Sequence, residues 1–423
     1  MNFTKFLREE WVQALGCTEP ASIAFAGMTA AKHLQGEPSS IKLIVDPKMY
    51  KNCYAAGIPH SGHKTGITWA AAIGAFLKNY EDGLICFRGI DDKVLKKAAS
   101  LVKSNSVKIQ IDRKKKDLHI DFTVFSENGK NARAVIEKTH TNLRSIHSSG
   151  KKVFSGKPVK CKTSNAGARK WAETLSPKKI IRLAKGISQS DRAILRNGAE
   201  MNLRIAKHGL SLFPKSFFEL FRGEALTGIS SIVCAGVYAR MWGEDYPVMS
   251  ISGSGNKGIV STVPILLLEE KWKVPPRVIE EGLAISLLFT SKTTSSLGTL
   301  SAVCGCSNAA GIGLACAMVY IKGGSEKEIS FAINNMVGNI TGMICDGAKI
   351  GCALKTMTSV DAAFRAATLA LSGIGIPEED GIVGGDGTAS LVNMGRIAIN
   401  GMISADKEIL KIMESKRERR KKK

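Results

Sequence analysis

Residues 107–139 read VKIQIDRKKKDLHIDFTVFSENGKNARAVIEKT. Val107–Ile111 and Leu118–Phe125 alternate apolar and polar side chains, the period of a half-buried strand, around the charged turn Asp112–Asp117. A second turn, Glu127-Asn128-Gly129-Lys130, leads to a third such run at Ala132–Thr139. Asn-Gly between two alternating runs is a strong hairpin signal, because both residues accept the positive φ of a tight turn. The segment therefore predicts an antiparallel meander, the sheet of a small α+β unit.

Toward the N-terminus, Ile41–Asp46 reads as a further strand that Pro47 would end. A loop rich in Gly and His, Gly57–Gly66, leads into a predicted helix from Ile67 to about Leu77. Before it, Phe3–Leu34 reads as helical, with Trp11, Leu15, Ile23 and Met28 as core candidates. Toward the C-terminus, Ser148–Gln189 is polar and basic and is expected to hold an interdomain connection. From about Arg192 onward, long Ala/Leu/Ile/Gly segments broken by Gly-rich loops predict packed helices with little sheet. The expected fold is α+β in two domains, a mainly helical, Cys-rich catalytic part and a smaller antiparallel-sheet unit. The expected boundaries are 1–80 for an N-terminal segment contributing to the catalytic site and 81–190 for the sheet unit with its basic connection. Residues 191–415 then form the helical catalytic domain, and 416–423 a solvated basic tail.

Bulk composition excludes several classes. With 44% hydrophobic and 23% charged residues the chain reads as an ordinary globular protein. No apolar run is long enough for a membrane helix, and the N-terminus lacks a signal-peptide pattern, so a cytoplasmic address is expected. Ten cysteines in such a chain argue for free thiols, metal ligands or catalysis instead of a disulfide framework. The net charge of +23 is concentrated in Arg113–Lys116, in Lys151–Lys185 and in Lys416–Lys423. No zinc finger, RNA-binding signature or aromatic-interleaved basic strip accompanies it, which argues for solvated loops over a nucleic-acid surface.

Chemistry-bearing residues gather in the C-terminal half. Cys304 and Cys306 open an apolar helix, and Cys345 and Cys352 flank a polar Asp-Gly-Ala-Lys turn. Thiolates of Cys304, Cys345 and Cys352 are soft ligands suited to iron–sulfur chemistry. Zinc fits less well, since Cys345 and Cys352 are seven apart and no His lies beyond His208. Cys234, Cys316 and Cys86 read as small core residues. The loop Ser252-Gly253-Ser254-Gly255-Asn256 is a candidate anion nest without P-loop spacing. His60, His63 and Lys64, at a predicted helix start, can hold a carboxylate. Near the N-terminus, Gly16-Cys17-Thr18-Glu19-Pro20 breaks a helical pattern and sets a cysteine beside a carboxylate, as a cluster ligand or an acid/base thiol.

The stretches Leu15–Pro20, Ser252–Ile259, Leu300–Cys306 and Gly342–Lys349 make the chain resemble the L-cysteine desulfidases, a family related to the α chain of iron–sulfur L-serine dehydratases. The resemblance implies a [4Fe–4S] cluster held by three cysteines with one iron open. Cys304 and Cys345 carry over as ligands, and either Cys352 or Cys17 completes the set. It also implies α,β-elimination from a small amino acid, with Cys17 as the favoured base and His63 and Lys64 behind it. Ser252, Gly253, Ser254 and Asn256 are then expected to hold the substrate carboxylate, and Lys349 to add charge. The chain departs from the resemblance at Ile58–His63, in the spacing after Cys345, and in its basic segment and tail. L-serine as substrate is a rival reading, as is a non-enzymatic basic RNA-binding or scaffold protein. The expected partners are a small amino-acid substrate, no membrane and no nucleic acid, with self-assembly left open.

Overall fold

The computed structural model describes the chain except residues 116, 157–163, 215, 217–224, 299, 300 and 423. Lys116, Leu300, Lys423 and the 157–163 portion of the expected basic connection thus lie outside the described residues. The strands are β1 (Trp11–Ala14), β2 (Pro38–Val45), β3 (Val107–Ile111), β4 (His119–Ser126), β5 (Asn131–Glu137), β6 (Leu143–Ser148), β7 (Lys151–Ser155) and β8 (Val248–Ile251). The rest is mainly helical, so the fold is α+β, as expected.

Six strands form one sheet in the order β3-β2-β4-β5-β6-β7. The meander is real from β4 to β7, and Gly129 takes a positive φ in its first hairpin. The expectation that β3 and β4 flank a shared turn as neighbours needs correction. β2 lies between them, parallel to β3 (Ile41 opposite Val107) and antiparallel to β4 (Ile41 opposite Val124). Ile41, Leu43 and Val45 are fully buried, so β2 belongs at a central position. Its parallel partner is reached by a long crossover that includes helices Ile67–Gly74 and Asp92–Lys103.

A second correction falls near the N-terminus. Phe3–Leu34 is two helices, Phe3–Glu10 and Thr18–Lys32, separated by β1. β1 pairs antiparallel with β8, and Ser250 Oγ donates to Val12 O at 2.6 Å. Trp11 is seated so closely over Gly198 that a Cβ there would lie 2.5 Å from its Nε1. These long-range contacts override the local helical period. Asn202 pins β8 from the other side, accepting from Met249 N (2.7 Å) and donating to Met249 O (3.2 Å).

Apolar burial is divided between two cores. One joins Phe3–Trp11 to the helices between Ala168 and Ala398, and the other joins helix Thr18–Lys32 and the six-stranded sheet. Helix Thr18–Lys32 lies on the sheet, with Phe122 against Gly27, and its first turn delivers Cys17 toward the other core. The last helix, Ile403–Lys422, returns to bury Leu410 and Met413 in the sheet core. Among the described side chains of the expected solvated tail, Lys416, Glu418 and Arg419 are exposed and Arg417 is half-buried. Arg417 stands 6.0 Å over the Tyr50 ring and donates to Ile109 O at 3.5 Å. No helix among the described residues is long and apolar enough to cross a membrane.

Candidate active site

Four helices begin at one place. Cys17 precedes Thr18–Lys32, Ser254 precedes Gly255–Lys271, Cys304 precedes Gly305–Ile321, and Cys352 opens Cys352–Leu371. Unsatisfied N–H groups and the positive ends of helix dipoles favour anions there. The Cys304 and Cys345 segments are stitched side by side, Cys304 N donating to Met343 O (2.8 Å) and Cys345 N to Ala302 O (2.6 Å). Gly347 turns at φ +89°, and a Cβ there would lie 2.1 Å from Lys51 O, so only glycine lets the Asp-Gly-Ala-Lys turn dock. Beneath it, the buried Lys51 ammonium pairs with Asp406 at 2.5 Å.

The thiols feel one another electrostatically. Burial raises Cys304, and Cys306, Cys345 and Cys352 push it further in the same direction. Burial, then the Cys306 neighbour, brings Cys352 up to about 12. Cys17 is raised well above its ordinary value by burial and by the charge of Glu19, against the pull of Arg240, and Cys352 acts on it too. The Cys17 thiol donates to Glu19 Oε2 at 3.2 Å, and Asn52 holds the other carboxylate oxygen at 3.0 Å. Five cysteines thus converge.

The expected substrate turn stands beside them. Ser252 and Gly253 take positive φ values of +50° and +76°. Ser254 Oγ lies 3.3 Å from Cys306 Sγ, and Asn256 Oδ1 accepts from Arg240 at 2.9 Å. Lys349 reaches Asp346, which also takes Lys355 at 2.5 Å, so its charge is already engaged. His63 and Lys64 stand apart from the thiols in every described contact. His63 packs on Trp242 (centroids 4.9 Å apart) with Nδ1 3.3 Å from its carbonyl, and the Lys64 ammonium is 5.2 Å over the Trp69 ring.

Sequence reasoning assigned no role to four participants. Cys306 is half-buried and faces Ser254, whereas Cys304 is buried beside Ser307 at 3.4 Å. Lys257 is buried, and burial brings its pKa down to about 8 while Cys306 opposes the shift. Arg240 is buried, donating to Asn256 and to Gly16 O at 2.7 Å. Glu10, also buried, holds Arg169 through both oxygens at 3.0 and 2.9 Å. The available signals were the Cys-x-Cys spacing, a lysine inside an already notable Gly/Ser turn, and an arginine in the apolar run 225–242.

The family described as serine dehydratase alpha chain matches residues 94–411. The chain belongs to that family. Among its relatives is a UPF0597 protein of Geobacter sulfurreducens, 37% identical over 420 residues that cover 97% of each chain. Others are UPF0597 proteins of Desulfotalea psychrophila, 34% identical with 97% of each chain covered, and of Elusimicrobium minutum, 35% identical with 98% of this chain and all of the relative covered. Membership in the serine dehydratase alpha chain family implies a lyase. The matched span contains the Ser252 turn and Cys304, Cys306, Cys345 and Cys352, and begins after Cys17.

Among the described residues, no three His, Cys, Asp or Glu side chains stand close enough to share a single metal ion. A multi-iron cluster spreads its ligands over a wider cage. Free, buried or half-buried, mutually unfavourable thiols from separate segments are a donor set that a cationic iron–sulfur centre would satisfy.

Proposed function

We propose that this protein is an iron–sulfur lyase that eliminates sulfide from L-cysteine. The observation carrying the reading is the convergence of Cys304, Cys306, Cys345 and Cys352 beside the Ser252–Asn256 turn, with Cys17 and Glu19 alongside. Cys345 and Cys352, with one thiol of the Cys304/Cys306 pair, would hold a [4Fe–4S] cluster. Cys306 is favoured over Cys304 because it faces Ser254. When bound, a cluster with one iron free of protein thiolate supplies a Lewis acid for the departing sulfur.

The chain's own residues account for the rest. The Ser252–Asn256 turn and its helix N-terminus seat the carboxylate. Cys17 Sγ, able to pass its proton to Glu19 Oε2, takes the proton from Cα as the Cβ–S bond breaks and sulfide leaves with the electron pair. Asn52 fixes Glu19, and the Arg240 bond to Gly16 O fixes the loop that presents Cys17. The product, aminoacrylate, hydrolyses to pyruvate and ammonia without further catalysis. His63 and Lys64 are left the lesser role of shaping the loop against Trp242 and Trp69.

L-serine, with water as the leaving group, is the second reading, favoured by the description of the family that matches. The test is anaerobic purification, then iron content, visible absorption, and pyruvate and sulfide release from each amino acid. Sulfide from L-cysteine outpacing pyruvate from L-serine supports the first reading. The reverse establishes the second, and turnover of neither sinks both.

A further inference from the structure

Lys257 is a buried ammonium with few partners. It is 5% exposed, and its one described hydrogen bond is a long one, 3.4 Å to Ser252 O. An ammonium has three donors, and burying one without an anion is costly. The nearest carboxylate acting on it, Glu10, is already engaged by both oxygens with Arg169. Gly305 leaves room for it, since a Cβ there would come 3.2 Å from Lys257 Cε.

Its neighbours repeat the pattern. Ser252 is 3% exposed and held in left-handed backbone, and its Oγ makes no hydrogen bond at ordinary distance, although the hydroxyl acts on the nearby Glu10 carboxylate. Arg240, 3% exposed, has no carboxylate partner among the described residues, and its Nε is also unpartnered. Its guanidinium lies under the turn, where a Cβ on Gly255 would come 2.6 Å from Nε. Two buried cations and a hydroxyl without a close partner therefore surround one turn at a helix N-terminus.

We propose that Lys257 binds the α-carboxylate of the amino-acid substrate, with the Ser252 hydroxyl as a second donor and Arg240 as a positioning residue for the turn. This rests on the lyase reading for the identity of the substrate as an α-amino acid. The ammonium donates directly to one carboxylate oxygen, and no bond is made or broken in this step.

The test removes the charge from each side in turn. Turnover of L-cysteine and L-cysteinamide is compared in the anaerobically purified wild type, Lys257→Met and Lys257→Gln, with iron content and thermal midpoint recorded for each. Calorimetry with unreactive L-alanine and L-alaninamide gives a binding readout that does not need turnover. In the wild type the acid is expected to be favoured over the amide by about 100-fold, the scale of a buried charge pair. Either variant should lose that preference through the acid alone, with the amide little changed and iron retained. Lys257→Gln serves if Lys257→Met lowers the midpoint. Equal losses for acid and amide, a preference that survives substitution, or loss of iron would each overturn the proposal, the last by assigning Lys257 to the cofactor. A wild type that turns over neither amino acid but still binds L-alanine through Lys257 breaks the lyase reading alone. A wild type that does not distinguish acid from amide breaks this one.

Discussion

Two groups of charge lie among the helices, one partly exposed and one buried, and they end differently. In the first, Arg192 meets Glu280 and Glu281, Arg196 grips Glu269 through two bonds and touches Glu280, and Arg277 and Tyr320 complete Glu281. Three guanidiniums face three carboxylates, and the network closes on itself. In the second, Arg240 and Lys257 stand with thiols, amides and carbonyls, without a carboxylate of their own. A closed network holds helices in register. An open one, more deeply buried, costs stability that folding does not return, and such deficits gather where a ligand completes the set. The contrast singles out the open group as the candidate site without reference to any relative.

The sharpest way to break the contrast is to remove a thiol from the open group. Cys345→Ser is expected to lose the brown chromophore and all turnover, against about four irons per chain in the wild type. Cys306→Ser should lose more iron than Cys304→Ser, because Cys306 faces the Ser254 turn. Full iron and activity in Cys345→Ser would remove the cluster from the account. Cys17→Ala should keep its iron and its substrate-induced spectral shift while releasing sulfide roughly 10²–10⁴-fold more slowly, the usual worth of a general base. Iron lost from Cys17→Ala but kept in Cys352→Ala would reverse those two roles.

The closed group should respond in stability and not in chemistry. Glu281→Gln leaves Arg192 and Arg277 short of a partner and is expected to cost about 3 kcal/mol, with kcat per folded molecule unchanged. Burial alone would raise the Glu281 carboxyl, but bonds from Tyr320, Arg277 and Arg192 outweigh it and hold the group below its ordinary value. A depressed acid stabilises the fold fully above the ordinary carboxylate range and loses that contribution as pH falls through the depressed value. Denaturation midpoints of the wild type should therefore drop on acidification more steeply than those of Glu281→Gln. Parallel curves would remove Glu281 from the linkage.

This division was only half legible in the sequence. Alternation and Asn128-Gly129 declared the hairpin because those signals are local. The insertion of β2 between β3 and β4 was hidden, since it depends on which buried strand the crossover reaches. β1 was hidden for the same reason: Trp11–Ala14 has a helical period and becomes a strand through β8 and Gly198. At the site, cysteines and Gly-rich turns announced themselves by type and spacing. Arg240 and Lys257 did not, because a basic residue in a chain of +23 reads as surface until its burial is known.

The smallest expected effect lies farthest from either group, in the last helix. Residues 416–423 look from composition like a removable basic tail, yet Arg417 covers the Tyr50 ring and Glu414 pairs with Arg113 at 2.5 Å. Tyr50 sits one residue before Lys51, whose carbonyl meets Gly347 and whose ammonium is held by Asp406. The tail thus touches, at its first turn, the support of the cysteine-bearing loop. Deleting residues 420–423 should change neither turnover nor thermal midpoint. Deleting 416–423 removes the Arg417 contact, worth roughly 0.5–1 kcal/mol, and in a chain this long should lower the midpoint by only ~1 °C. Arg417→Ala should reproduce that shift, since the contact belongs to one side chain. Turnover should survive all three changes, because the Lys51–Asp406 pair lies upstream of the cut and keeps its hold. A midpoint unchanged by the longer deletion would return the whole segment to solvent. A large loss of turnover would show that Lys51 passes the state of the last helix on to Cys345.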